Sequence, residues 1–121
     1  MKTINLENAK RLDALGVKKA SYFYYTEEPH AYVVDGDNKY RTDTSAYTAD
    51  EIGEMLPYWI QIEERGVFFR NLNIFPCCEE TGGWVVEYEK WKAIGADTMA
   101  DSMALMLIWL IEKGHVKAEE L

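Results

Sequence analysis

Cys77 and Cys78, adjacent in the chain, and His30 and His115, each isolated, are the residues from which a nucleophilic or metal centre would have to be built. A thiolate nucleophile needs a base within hydrogen-bond reach, and a tetrahedral zinc site needs ligands at short paired spacings. Adjacent cysteines would close only a strained disulfide, and neither histidine has a second ligand at the required interval. These spacings imply reduced thiols, as in a cytoplasm, with no catalytic residue and no metal or other cofactor. Gly82 and Gly83 lead into Trp84 without the lysine that a phosphate-cradling loop requires. Asp35-Gly36-Asp37-Asn38 puts glycine at its second position, out of register with a calcium-binding loop, and reads as a turn. Acid–base chemistry by paired carboxylates could draw on 21 acidic residues, and the sequence singles out none of them.

Aromatic residues supply a second kind of chemistry. Tyr22, Tyr24, Tyr25, Tyr32, Tyr40, Tyr47, Tyr58, Trp59, Trp84, Tyr88 and Trp91 lie mostly in strand-like segments. Each offers a broad apolar face with a polar tip, suited to stacking a base, anchoring a protein partner or filling a core. An anionic ligand would also need a guanidinium beside such rings, and Arg41 and Arg70 occupy aromatic strand segments. Arg70 follows Phe68 and Phe69, and Trp59 lies on the strand expected to pair with that segment. Arg70 and Trp59 are accordingly the expected ligand contacts, supported by Arg41 and Tyr58.

The charge balance narrows the partners. The chain has 121 residues and a net charge of -8, yet Lys2, Lys10, Arg11, Lys18 and Lys19 outweigh Glu7 and Asp13 in its first twenty residues, so the acidic excess lies beyond them. Acidic surfaces repel phosphate backbones, and no segment interleaves aromatics with several basic residues, which argues against a nucleic-acid duplex as partner. The acidity serves solubility or pairs with a basic partner. With 48% apolar residues the chain is too hydrophobic for intrinsic disorder, and its length predicts one domain over residues 1–121. The first residues lack the apolar stretch of a secretory signal, and the longest apolar run, from Met103 to Ile111, is about half of a membrane span. Cytoplasmic location without membrane contact is the expectation.

The elements that must position these residues follow from periodicity and punctuation. Asn5 caps a helix over 6–15, with Leu6, Ala9, Leu12 and Leu15 on one stripe and Gly16 after it. Ser21-Tyr22-Phe23-Tyr24-Tyr25 and Ala31-Tyr32-Val33-Val34 read as a hairpin around Glu27-Glu28-Pro29, with Lys39-Tyr40-Arg41 as a third strand. Thr48-Ala49-Asp50-Glu51 is a capping box for a short helix that Pro57 ends. Residues 58–63 and 67–76 alternate as a second hairpin, and Trp84, Val86 and Tyr88 alternate in what reads as the last strand. Thr98 or Asp97 caps a final helix closed by Gly114. That helix is apolar nearly all round, so it is either central to the core or shared between subunits of a homo-oligomer. Together these elements predict an α+β fold: an antiparallel sheet of about five to six strands with three helices, the C-terminal one the most buried.

Asn5 to Lys10 with Leu15-Gly16, Tyr47 to Ile52 with Leu56-Pro57, and Ala96-Asp97-Thr98 with Met106 to Glu112 carry a resemblance to a group of small uncharacterised proteins from phages and prophages of gut bacteria. It spans about half the chain and rests on capping and core residues. It implies a shared fold and a phage setting, and brings no catalytic residue. Small accessory phage proteins often act against host defence, so the resemblance implies a non-catalytic binding protein. Such a protein would sequester a nucleotide-type immune signal or block a host protein. A small hydrolase of a nucleotide signal is the alternative from another class.

Overall fold

The computed structural model describes residues 3–26, 33–35, 44–63, 67–77 and 82–121. Along the chain lie α1 (Leu6–Ala14), β1 (Phe23–Tyr25), β2 (Val33–Asp35), β3 (Thr44–Ser45), α2 (Ala49–Met55), β4 (Trp59–Glu63), β5 (Val67–Pro76), β6 (Trp84–Tyr88), β7 (Lys92–Ala96) and α3 (Met99–Glu112), then a 3₁₀ turn at Ala118–Glu120.

Each α-helix starts where a side chain takes up an otherwise orphaned amide. Asn5 accepts from the Asn8 amide at 2.8 Å, and Thr98 accepts from the Asp101 amide at 3.1 Å. At α2 the capping box is complete: Thr48 Oγ1 accepts from the Glu51 amide at 3.2 Å, and Glu51 Oε1 accepts from the Thr48 amide at 2.9 Å. Leu56 leaves the helical region with ψ of 130°, as the residue before a proline is biased to do.

Among the described residues the fold is α+β with three α-helices, but the strands form two antiparallel sheets rather than one of five to six strands. A three-stranded sheet has the order β2-β1-β3, and a four-stranded sheet the order β4-β5-β6-β7. Each sheet is assembled around its own hairpin, and α2 occupies the chain between β3 and β4. The expected first hairpin is present, Tyr24 facing Val34 and Tyr25 facing Val33. Its proposed turn at 27–29, the turn residues 36–38 and the third strand at 39–41 lie outside the described residues. The third strand observed in that sheet is β3, with Tyr24 facing Ser45.

A second correction concerns the end of the sheet. β6 is followed by β7 in full antiparallel register, from Trp84 opposite Ala96 to Tyr88 opposite Lys92. Lys-Ala-Ile-Gly-Ala carries one strand-favouring residue, Ile94, among four that are depleted in strands, so propensity alone does not reveal it. A tight turn at Glu89, Lys90 and Trp91 sets its pairing, with Lys90 at φ 53°. Gly83 enters β6 at φ +101°, where a Cβ would stand 2.7 Å from the Ala96 carbonyl oxygen, so only glycine fits.

The inward face of the larger sheet presents Ile60, Val86 and Tyr88, all buried, and half-buried Leu72, Ile74 and Ile94. α3 lies on this face and buries Met103, Met106, Leu107, Ile108 and Leu110 among others, while α1 and α2 pack beside it. α3 thus lies at the centre of the core, with Leu105, Trp109 and Ile111 left half-buried. Gly53 allows α2 to approach, since a Cβ there would meet Met103 Cε at 3.2 Å.

Candidate functional site

The antiparallel register of β4 and β5 decides which expected contacts can meet. Trp59 pairs with Asn71, and Ile60 pairs with Arg70. Cross-strand partners share a face and successive residues alternate, so Trp59 and Arg70 project from opposite sides of the sheet. Trp59 is 53% exposed on the outward face, whereas Arg70 is half-buried on the side of buried Ile60 and is engaged by neighbouring groups. Tyr58, 81% exposed, stands beside Trp59 at the start of β4, and its carbonyl accepts from the Leu72 amide at 2.8 Å. Arg41 lies outside the described residues. The structure therefore leaves Tyr58 and Trp59 each exposed and does not place Arg70 with Trp59.

The outward face has its own composition. Along β5, Asn71, Asn73 and Phe75 are exposed while Leu72 and Ile74 turn inward. Phe75 sits opposite Val85, and the Asn71 side-chain amide donates to Glu89 Oε1 at 3.0 Å. Trp59 and Phe75 are large apolar side chains left in solvent on one sheet face, separated by short polar groups rather than by long cations.

A groove of about 690 Å³, which no motif or spacing announces, runs between residues 19–23 and α2. Tyr22, 78% exposed, and Phe23 supply apolar surface on one side; Asp50, Glu51 and Glu54 supply carboxylates on the other. Glu51 is committed to structure: besides its cap bond, Oε1 accepts from Ser21 Oγ at 2.8 Å and Oε2 from the Tyr22 amide at 3.0 Å. Lys19 Nζ reaches Glu54 Oε2 at 3.9 Å, a long and solvent-exposed ion pair. The Tyr47 hydroxyl donates to the Lys19 carbonyl, and burial raises its pKa.

The third feature is aromatic. Trp91 meets Trp109 edge to face at 5.2 Å and His115 at 4.9 Å, His115 stacks on Trp109 at 5.7 Å, and Lys92 Nζ lies 4.9 Å from the Trp109 ring centre. These groups cover one another and fasten the β6–β7 turn to the end of α3. Cys77 follows β5 where β6 begins, its amide donating to the Gly83 carbonyl at 2.9 Å, whereas His115 packs where β6 ends. That thiol and that imidazole cannot act as a pair. Among the described residues no group of three or more His, Cys, Asp or Glu side chains is arranged to hold a metal ion, and no helix is long and apolar enough to cross a membrane.

No protein-family model, no curated protein and no solved structure matches the chain.

Proposed function

We propose that the chain is a non-catalytic binding protein of the phage accessory type, which acts by covering the surface of a partner protein with the outward face of its four-stranded sheet. The observation that carries this reading is the exposure of Trp59 and Phe75 on that face, at 53% and 39%. Rings of this size are the residues around which protein interfaces concentrate their binding energy, and neighbouring Asn71, Asn73 and Gln61 can complete a polar rim. In a phage setting the partner would be a host protein, and the effect would be to block a defence function. Sequestration of a nucleotide is less well supported, because the cation nearest Trp59 in sequence register, Arg70, faces the other way.

The test uses the intact protein and its Trp59→Glu/Phe75→Glu double variant. Partner capture from host extract should be retained by the first and lost by the second, while both keep the same circular dichroism spectrum. In parallel, nucleotide second messengers incubated with the protein should stay in solution unchanged. Depletion with intact release on denaturation would point to a nucleotide sponge instead, and altered nucleotide to a hydrolase.

A further inference from the structure

We infer that the groove between residues 19–23 and α2 is a second binding site, independent of the sheet face, that receives an arginine-bearing segment of a partner protein. Asp50 and Glu54 are four residues apart on α2, so their side chains lie one above the other on the same helix face. Two carboxylates at that spacing repel each other, and a cation between them relieves the repulsion. Both side chains are exposed, so neither is held there by packing. Glu51, on the same helix, is already occupied by Ser21, the Tyr22 amide and the Thr48 amide, which leaves Asp50 and Glu54 to face the groove.

The chain supplies a weak internal cation. Lys19 approaches Glu54 only to 3.9 Å, with side-chain exposures of 38% and 73%, so this ion pair is easily exchanged. An incoming guanidinium offers five donors in a planar fork, matches a carboxylate with two bonds and can lie over an aromatic ring. Tyr22, 78% exposed on the opposite wall, provides that ring. At about 690 Å³ the groove exceeds what one side chain fills, and it opens to solvent along the surface, as a peptide that enters and leaves requires. The net charge of -8 favours basic partners at a distance, and the carboxylate rim excludes a phosphate-bearing ligand from this groove.

Calorimetric titration tests the assignment with a blocked hexapeptide carrying two arginines among glycines, its citrulline counterpart and spermine. The arginine peptide should bind, and Asp50→Asn/Glu54→Gln should weaken it about tenfold or more, the worth of a lost charge-assisted hydrogen bond. Tyr22→Ala should weaken binding and Lys19→Ala should strengthen it, whereas Trp59→Glu/Phe75→Glu should leave it unchanged. That last variant separates this site from the sheet face, so either can fail alone. Equal affinity for the citrulline peptide, undiminished binding by a folded Asp50→Asn/Glu54→Gln variant, or spermine binding as tightly as the peptide would overturn the proposal.

Discussion

The side-chain amide of Asn8, buried in α1, donates to Asp101 Oδ1 in the first turn of α3 at 3.0 Å, across 93 residues of sequence. Asp101 also accepts from the Asn5 amide at 2.7 Å and from the Thr98 hydroxyl at 3.0 Å. One carboxylate thus joins the caps of two helices and satisfies a buried amide that would otherwise lose its water without replacement. Asp101→Ala should cost about 3 kcal/mol, because it removes charge-assisted bonds and strands the Asn8 amide. Asp101→Asn should cost about half of that, since it keeps one acceptor oxygen. Urea denaturation measures both, and a loss below about 0.5 kcal/mol for the alanine variant would refute the role.

Stability should fall on the alkaline side. Burial holds Tyr88, whose hydroxyl donates to the Pro57 carbonyl at 2.8 Å, well above the ordinary phenol pKa of 10.0, and raises that of Tyr47 as well. Below pH 10 both phenols are protonated in the folded and unfolded chain, and their contribution is complete. Above it the unfolded chain releases protons that the folded one retains. Unfolding then becomes more favourable with rising pH, by up to about 1.4 kcal/mol per unit for each group, until the folded phenols ionise. Denaturant midpoints between pH 8 and 11 should show this decline, and Tyr88→Phe should make it shallower. An unchanged slope in a folded Tyr88→Phe variant would remove Tyr88 from the account.

Trp109 distinguishes a core role from a subunit interface. Its ring packs against Trp91, Lys92 and His115. Trp109→Asp should lower stability by about 3 kcal/mol through lost packing and the cost of placing a charge there. A variant that stays folded while its mass by light scattering drops would assign the ring to an interface.

Gly82 and Gly83 form an internal comparison. Both have positive φ, at 71° and 101°, but a Cβ at Gly82 meets nothing within 4 Å whereas one at Gly83 stands 2.7 Å from a backbone oxygen. Gly82→Ala should cost about 1 kcal/mol from backbone strain alone, and Gly83→Ala at least twice that, because the β6–β7 pairing must also shift. Thermal melts of the two variants report the difference; equal midpoints would contradict it.

Local signals in the chain were readable and long-range ones were not. Thr48 with Glu51, and Thr98 before an apolar run, announced their helices because a cap is written within four residues. Alternation in β5 separated Leu72 and Ile74 from Asn71 and Asn73. Pairing Trp59 with Arg70 failed at the next step: which residues share a face depends on the hairpin register, and a shift of one residue exchanges the faces. The partition into two sheets depends on how separate hairpins pack, which no window of sequence contains. The groove escaped for the same reason, since Ser21 and Glu51 meet across 30 residues.

Glu51 has a bearing on how the chain moves as well as on how it is held. Its carboxylate holds the amide of Thr48 at the start of α2 and the amide of Tyr22 at the approach to β1. Neither amide can be released without disturbing the same side chain, so fraying of the helix end and lifting of the strand become one cooperative opening. In hydrogen exchange the two amides should therefore share a single protection factor and lose it together in Glu51→Ala, which would make residues 21–22 and 48–51 one foldon that couples the approach to β1 with the start of α2.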